Sequence, residues 1–392
     1  MQSPTLPLAS TSHYVPTDSP DSLESFQPFQ KLRERRHLSD VEQTALERLA
    51  FEYGDAPESY FITEPGAHCL LSPNHTAALS VVKHGWYWHA AGGLLADEPD
   101  KPAIIKHLKE LAQREGVMIA VYSISPIDAP LFAEAGYDIN KFGEEPVLDL
   151  GDLNWSGKPF EWIRRQSNFC LRQGLTVREI RPQSEPLELT AQLRKILEHD
   201  LNHRPYTKEL ALMEGRFLPE NLLRRRLFVV ESADRSRVEA FLCCHPMSAG
   251  LGWSFETYRR RADAPRGTIP FLMRTAIDRL QEEGARHVSL CMIPGKGVDR
   301  QSIGTPNPFV RMMLNFWYHR TNALFNLQGQ EHFKTRFRPR FQDRYVAATT
   351  KMNPVSLSSF LYSAGGFGVN PINAGRNFWR HLRKKQPDFG GE

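Results

Sequence analysis

The fold is decided by the stretch Trp253-Ser-Phe-Glu-Thr-Tyr-Arg-Arg-Arg-Ala-Asp-Ala-Pro-Arg-Gly-Thr268. Its first residues continue a strand over 252–258, after strand-like runs at 227–231 and 238–245. An amphipathic pattern over 268–283 then predicts a helix, followed by a strand at 287–292. Strands followed by a helix and a further strand are typical of an α/β domain.

The first half of the chain repeats this order. A charged helix at 39–53 is followed by β-like runs, a helix and a strand, at 60–63, 69–72, 77–82, 86–91, 102–115 and 117–123. From both Leu131 and Leu324, a glycine follows five residues on and a lysine ten residues on, at Lys141 and Lys334. We interpret the two halves as copies of one α/β domain, with a boundary in the Gly, Asp, Asn, Ser and Pro cluster at 151–158.

Length and composition fit two soluble domains, since the 392 residues are 41% hydrophobic and 24% charged. We expect a disordered tail at 1–38, a first domain at 39–156, a second, catalytic domain at 157–350 and a basic tail at 351–392. The Ser- and Pro-rich start lacks the pattern of a signal peptide, and no apolar run is long enough to span a bilayer. Any membrane contact is therefore expected to be peripheral.

Cysteine and histidine usage predicts no metal site. The five cysteines form no CxxC pair, which favours a reduced compartment such as the cytoplasm. His199 and His203 flank Asp200 in a pattern resembling the HExxH zinc motif, but no third ligand is apparent. A solvated helix face explains both histidines. No Walker loop or nucleophile triad is recognisable.

Two segments carry candidate chemistry. Glu256 and Arg259 lie at the end of a predicted strand, and the Pro-Arg-Gly-Thr turn at 265–268 presents backbone N–H groups at a helix N-terminus. Such a site suits a phosphate or an oxyanion, although a solvated arginine cluster beside an ordinary helix start is the alternative. Residues 330–345 interleave basic and aromatic side chains, as expected for nucleic-acid or anionic-lipid contact. On a strand, the same alternation would instead bury the rings and expose the arginines.

At these residues the chain resembles the C-terminal catalytic domain of phosphatidylglycerol lysyltransferases and alanyltransferases, the aminoacyl-phosphatidylglycerol synthases. The resemblance runs from about residue 52 to residue 350. It rests on several ordered blocks, namely Gly157-Lys158 with Arg164, Gly174-Leu175-Thr176, Gly215-Arg216-Phe217, residues 256–268, and Phe333-Lys334-x-Arg336-Phe337-x-Pro339 with Tyr345. Most such enzymes also carry an N-terminal membrane flippase, which these residues do not include.

The resemblance implies an α/β fold of tandem GNAT (acetyltransferase-like) domains, with mixed central sheets flanked by helices and a tunnel between lipid and tRNA. It implies catalytic roles for Glu256, Arg259 and Lys334, with Glu256 standing where the family usually has Asp. The substrate-binding residues that it implies are Arg216, Arg260, Arg261, Asp263, Arg266, Gly267, Thr268, Arg336 and Arg338.

The implied activity moves lysine, alanine or a similar amino acid from aminoacyl-tRNA to a hydroxyl of phosphatidylglycerol, an anionic phospholipid. One ester replaces another, so no ATP, metal or organic cofactor is implied. The enzyme would lie peripherally on the inner face of the membrane. Three alternatives stay open: a non-lipid or sterol acceptor, an acetyl-CoA-dependent acetyltransferase with only Gly267 in the pyrophosphate loop, and a non-catalytic lipid- or RNA-binding protein.

The C-terminal tail combines two aromatic residues with five cations between Arg376 and Lys385. The Gly- and Pro-rich sequence before it predicts no packed structure, and the segment is too short to hold a helix by itself in water. At an anionic bilayer, however, its cations and rings would bind the headgroup region. We therefore expect a reversible membrane tether, with a solvated terminus as the alternative.

Overall fold

The computed structural model describes residues 26–385. Their strands are β1 (Arg33–Glu34), β2 (His68–Leu71), β3 (Ala77–His84), β4 (Tyr87–Ala96), β5 (Met118–Ile124), β6 (Asp138–Asp149), β7 (Thr176–Ile180), β8 (Arg226–Glu231), β9 (Val238–Met247), β10 (Gly252–Arg260), β11 (His287–Ser289), β12 (Ile293–Pro294) and β13 (Arg340–Ala348). Their α-helices are α1 (Asp40–Tyr53), α2 (Lys101–Glu115), α3 (Ala129–Glu134), α4 (Glu161–Arg172), α5 (Leu187–His203), α6 (Thr268–Glu282), α7 (Pro308–Arg320), α8 (Asn322–Phe325), α9 (Leu327–Thr335), α10 (Pro354–Ser363) and α11 (Pro371–Lys385).

The strands form one continuous mixed sheet, in the order β1-β2-β3-β4-β5-β13-β6-β11-β10-β9-β8-β7, with β12 on β6. Apolar clusters cover it: one packs α2 against the first half of the sheet, and another packs α4 and α6 against the second half. The predicted α/β class, a mixed sheet flanked by helices, is confirmed.

The sheet contains the same unit twice. Strands β2, β3 and β4 form an antiparallel meander, and β5 returns through α2 to lie parallel to β4. Strands β7 to β10 form a second meander, and β11 returns through α6 to lie parallel to β10. In both units the parallel pairing stops just before a bulge in the last meander strand. This repetition confirms the predicted tandem fold.

The ten-residue match between Lys141 and Lys334 is not part of this duplication. Lys141 lies on β6, where it forms ion pairs with Glu144 at 3.0 Å and Asp343 at 2.6 Å. Lys334 lies near the end of α9. The two lysines therefore occupy different elements, and the local match was a coincidence of spacing.

The last strand of the sheet joins the two halves. Although β13 follows the second unit in the chain, it lies between β5 and β6 and pairs antiparallel with both. The alternation of its side chains between the two faces of the sheet breaks at a bulge between Arg344 and Tyr345, so both of these side chains are buried. The expectation that alternation would leave the arginines in water is therefore wrong for Arg344, which a buried ion pair with Glu145 stabilises.

Two predictions near the N-terminus are wrong in part. Residues 26–38 are ordered, because Phe29 is buried against α2 and β1 pairs with β2. The rest of the predicted tail, residues 1–25, lies outside the described residues. The run at 60–63 is not a strand but part of a 3-10 helix, Pro57–Thr63, whose first turn accommodates the proline. This helix carries Glu58, which is buried.

The C-terminal segment packs on the domain instead of leaving it. Val369 forms a β-bridge with Tyr206, and the Asn373 side chain donates hydrogen bonds to the carbonyl oxygens of Asn202 and Arg204. Beyond this anchor α11 is helical to Lys385, so the prediction that the tail holds no packed helix is wrong. None of the helices within residues 26–385 combines the length and apolar character needed to cross a bilayer.

Candidate active site

A cleft of about 630 Å³ opens beside β10, and it contains the three predicted catalytic residues Glu256, Arg259 and Lys334. Its walls come from β10, the loop after β11, the end of α5 and the α8–α9 region. Glu58 contributes a further part of the wall from the first half of the chain. The cleft therefore depends on residues from both halves.

Glu256 lies at the bulge of β10, where Phe255 and Thr257 pair with consecutive residues of β9 and Glu256 has no opposite residue. Its Oε1 accepts a hydrogen bond from the Gly215 N–H at 3.0 Å, and its Oε2 accepts one from Cys291 Sγ at 3.1 Å. A Cβ at residue 215 would lie 3.3 Å from Glu256 Cγ and 2.9 Å from atoms of Phe61 and His245. Glycine at 215 thus permits the close approach of this backbone N–H.

The electrostatic surroundings of Glu256 favour its neutral form. Protein atoms surround the carboxyl closely, although part of it remains accessible from the cleft. This burial, followed by the negative charge of Glu58, raises the pKa of Glu256 to about 8. A carboxyl with a pKa near neutrality can both accept and release a proton at physiological pH.

Lys334 lies beside Glu256 and is buried. Its Nζ donates a hydrogen bond to the carbonyl oxygen of Cys291 at 2.9 Å. Burial lowers the pKa of Lys334, although Cys291 and Glu256 partly oppose the change. Cys291 itself has a left-handed backbone, with φ of 64°, which is unusual for a residue other than glycine. Burial keeps the pKa of its thiol well above the usual value, so Cys291 is a hydrogen-bond donor here and not a thiolate nucleophile.

Arg259 belongs to a network of four charged residues. Its Nε lies 2.7 Å from Asp200 Oδ2, and its Nη2 lies 3.6 Å from Glu214 Oε1. Arg204 contacts the same two carboxylates, at 3.3 Å and 2.7 Å. Burial by itself would raise the pKa of Glu214, but Arg204 and Arg259 outweigh it and lower that pKa. The carboxylates therefore hold Arg259 in place and largely balance its charge.

Glu58 lines the cleft, although the sequence did not indicate it as a site residue. The residue is 3% exposed and lines the cleft, and its Oε2 has no hydrogen-bond partner. Burial and then the charge of Glu145 raise its pKa to about 7. Glu58 stands between Pro57 and Ser59 in no recognisable motif, so nothing local indicates a site. Glu214 had a weak signal, because it directly precedes the Gly215-Arg216-Phe217 block.

The predicted substrate-binding residues are only partly brought together. Arg260 and Arg261 line the cleft, whereas Asp263 forms ion pairs with Arg237 at 2.7 Å and with Arg261 at 3.4 Å. Gly267 has a φ of 86° and caps α6, as the predicted turn requires. The remaining five do not line the cleft, and their roles stay predictions: Arg216, Arg266, Thr268, Arg336 and Arg338. Three of these arginines contact other parts of the protein: Arg266 lies over the Phe169 ring, Arg336 lies over the Trp162 ring, and Arg338 donates a hydrogen bond to the carbonyl oxygen of Pro159.

The histidine pair lies at the rim of the cleft. The rings of His199 and His203 are 4.1 Å apart and exposed, while Asp200 between them contacts Arg204 and Arg259. Within residues 26–385, no three His, Cys, Asp or Glu residues are grouped as metal ligands would be.

Comparison with known proteins identifies the family of this chain. The family model for the C-terminal region of phosphatidylglycerol lysyltransferase matches residues 47–348. The chain belongs to this family. The match confirms the family resemblance noted from the sequence, and the blocks around Gly215, Glu256 and Lys334 lie within the matched residues.

Curated members of the phosphatidylglycerol lysyltransferase family are distant relatives. The bifunctional lysylphosphatidylglycerol biosynthesis protein LysX of Rhodococcus jostii is 24% identical over 266 residues, which cover 67% of this chain and 23% of the relative. The phosphatidylglycerol lysyltransferase of Bacillus subtilis is 25% identical over 268 residues, which cover 66% of this chain and 29% of the relative. The aligned part of this chain thus spans about a quarter of the length of these relatives.

Two solved structures from this family have the same fold. The chain superposes on L-PGS from Bacillus licheniformis with a TM-score of 0.69 and 22% identity, over 85% of this chain and 98% of that one. It also superposes on the C-terminal domain of a putative lysylphosphatidylglycerol synthetase from Agrobacterium fabrum. The TM-score is 0.68 and the identity 22%, over 84% of this chain and 96% of that one.

Proposed function

We propose that this protein transfers an aminoacyl group from aminoacyl-tRNA to a hydroxyl of phosphatidylglycerol, working peripherally at the cytoplasmic face of the membrane. The observation that carries the proposal is the pairing, in one cleft, of a carboxyl whose pKa is about 8 with the buried Lys334. The names of relatives, phosphatidylglycerol lysyltransferase, support phosphatidylglycerol as the acceptor and an aminoacyl group as the group transferred.

In this reaction the lipid hydroxyl oxygen attacks the carbonyl carbon of the aminoacyl ester. A new ester bond forms, the bond to the ribose oxygen of the tRNA breaks, and one proton passes from the attacking to the leaving oxygen. Glu256 is suited to carry this proton, because a carboxyl with a pKa of about 8 exchanges it readily near neutral pH. Its two hydrogen bonds hold the carboxyl in one orientation.

The tetrahedral intermediate carries a negative charge on the former carbonyl oxygen, which a nearby cation stabilises. Lys334 is better suited to this role than Arg259, because Asp200 and Glu214 already balance the charge of Arg259. Arg259 then serves to position β10 and the end of α5. Arg260 and Arg261 at the rim are available to contact phosphate groups of the lipid or of the tRNA end.

The helix α11 supports contact with a membrane. Phe378 and Trp379 are exposed on it, and Asn377 of the same helix lines the cleft. Aromatic rings of this kind enter the headgroup region of a bilayer, and Arg376 adds a cation for anionic lipid. A bilayer bound at α11 would therefore present its lipids next to the cleft.

The turn before α6 disfavours acetyl-CoA as the donor. A pyrophosphate loop needs an open row of backbone N–H groups, but here the side chain of Gln166 lies against Gly267, within 2.8 Å of where a Cβ would be. The Arg266 guanidinium stacks 5.6 Å from the centre of the Phe169 ring. Helix α4 thus covers this turn.

The test is to incubate the purified protein with single radiolabelled aminoacyl-tRNAs and phosphatidylglycerol vesicles, and to measure label in the extracted lipid. We expect labelled phosphatidylglycerol from at least one aminoacyl-tRNA and none when acetyl-CoA replaces the donor. Glu52, exposed on α1, provides a control as Glu52→Gln, which should transfer as the wild type does. Label found only in peptide, sterol or soluble amine would refute the lipid acceptor.

A further inference from the structure

Four acidic residues line the cleft, and three of them have partners for their charges or hydrogen bonds. Asp200 and Glu214 contact the guanidinium groups of Arg204 and Arg259. Both oxygens of Glu256 accept hydrogen bonds from the protein. The fourth, Glu58, differs because its Oε2 is buried and has no partner. A buried carboxyl oxygen without a partner is costly, which makes it a candidate for a ligand contact.

Two cations lie near Glu58, and no hydrogen bond or ion pair joins either of them to its Oε2. Arg344 on β13 is shared between Glu145 on β6 and Asp55, and Lys334 at the end of α9 donates its hydrogen bond to the carbonyl oxygen of Cys291. On the side of the cleft, Glu256 on β10 adds a further carboxyl. The surroundings of Glu58 are therefore rich in acidic groups, and a positively charged ligand would relieve their repulsion.

We propose that Glu58 binds an ammonium group of the aminoacyl substrate, with Oε2 as the acceptor. This inference rests on the proposed function, which brings an amino acid ester into the cleft. An ammonium group suits the site because it is compact and donates three hydrogen bonds. Every aminoacyl ester carries an α-ammonium, and lysine carries a second ammonium on its side chain, so both sources share the chemistry that Glu58 recognises.

The site predicts that binding is linked to proton release. A cation beside Glu58 favours the ionised carboxyl, so it lowers the pKa of Glu58 from its value of about 7 in the free protein. Near pH 7, a Glu58 that is partly protonated before binding then loses its proton when the ammonium binds. Calorimetry in two buffers of different ionisation enthalpy measures this proton directly.

The experiment measures the binding of three amides to the whole chain at pH 7. L-Lysinamide has both ammonium groups, L-alaninamide has only the α-ammonium, and 6-aminohexanamide has only the distal one. We expect Glu58→Gln to weaken L-lysinamide binding by about tenfold to a hundredfold, as for the loss of a hydrogen bond to a charged group. If Glu58→Gln weakens L-alaninamide binding by a similar factor, the α-ammonium is the group that Glu58 binds. If it instead weakens 6-aminohexanamide binding, Glu58 binds the side-chain ammonium.

The matched control is Glu64→Gln. Glu64 follows the same 3-10 helix, and burial also raises its pKa to about 7, but its carboxyl accepts the Arg216 N–H and does not line the cleft. Glu58→Asp, which keeps the carboxyl, should recover part of the affinity. The inference is overturned if the wild type binds none of the amides, if Glu58→Gln binds them as the wild type does, or if Glu64→Gln weakens them equally.

Binding and transfer separate the two proposals. A protein that binds the amides through Glu58 but never labels phosphatidylglycerol contradicts the proposed function alone. A protein that labels the lipid but binds the amides independently of Glu58 contradicts this inference alone. Thermal unfolding of each variant shows whether a loss of binding comes from a loss of folded protein.

Discussion

Replacing Glu256 with glutamine keeps the shape of the side chain and an oxygen that can accept the Gly215 N–H, but removes the ionisable group. If Glu256 carries the proton in the transfer step, the rate should fall by about 10²- to 10⁴-fold. This loss corresponds to a barrier higher by about 3–5 kcal/mol. In the wild type the rate should also rise with pH up to about 8, since the ionised form accepts the proton.

The same substitution should stabilise the protein. The pKa of Glu256 is about 8 in the folded state against 4.5 for the ordinary value, so at pH 7 the folded carboxyl holds a proton that the unfolded chain has released. At about 1.36 kcal/mol for each pKa unit, this difference costs the wild type up to about 3 kcal/mol at pH 7. Glutamine does not titrate, so Glu256→Gln avoids this cost.

The assay is urea unfolding of both proteins between pH 4 and pH 8, together with lipid labelling at pH 7. The variant should match the wild type near pH 4, where Glu256 is protonated in both states, and gain stability progressively above pH 4.5. Glu52→Gln should differ from the wild type by less than about 0.5 kcal/mol throughout. A Glu256→Gln protein that is less stable at pH 7, or that transfers within tenfold of the wild type, would refute the reasoning.

Further variants test the other parts of the site and the tail. Lys334→Ala should lose at least about a hundredfold in transfer, because the oxyanion contact is missing. Lys141→Ala should lower the free energy of unfolding by about 3 kcal/mol, because Asp343 loses its ion pair while Glu144 keeps Lys296 and Arg300. Equal effects of the two substitutions in both assays would contradict this division. Arg259→Ala should reduce transfer, and unchanged kinetics in a folded variant would exclude Arg259 from the site. Phe378→Ser together with Trp379→Ser, or deletion from residue 375 onward, should weaken salt-sensitive binding to phosphatidylglycerol vesicles. The double substitution keeps Asn377 in the wall of the cleft, so it should spare transfer to a soluble short-chain acceptor. Unchanged vesicle binding at low salt would rule out the tether.

Local sequence patterns were enough to predict the repeating units of the fold. Periodicity over a few residues is a direct consequence of helix and strand geometry, so the meander, helix and parallel strand around β10 and α6 were predictable. The Pro-Arg-Gly-Thr turn also follows from local chemistry, because Gly267 takes the left-handed conformation that caps α6. The family resemblance of their sequence block indicated Glu256 and Arg259 as site residues, whereas regular strand alternation would point residues three positions apart to opposite faces.

The distant residues that complete the site are brought together by contacts between elements of the fold. Glu58 and Glu256 are nearly two hundred residues apart in sequence, and they meet because one sheet joins both halves through β13. Strand order, burial and the resulting pKa shifts arise from contacts between elements, which no local pattern records. The same reason explains why Arg344 is buried against the alternation of its strand, and why Lys334 reaches the cleft while Lys141 does not.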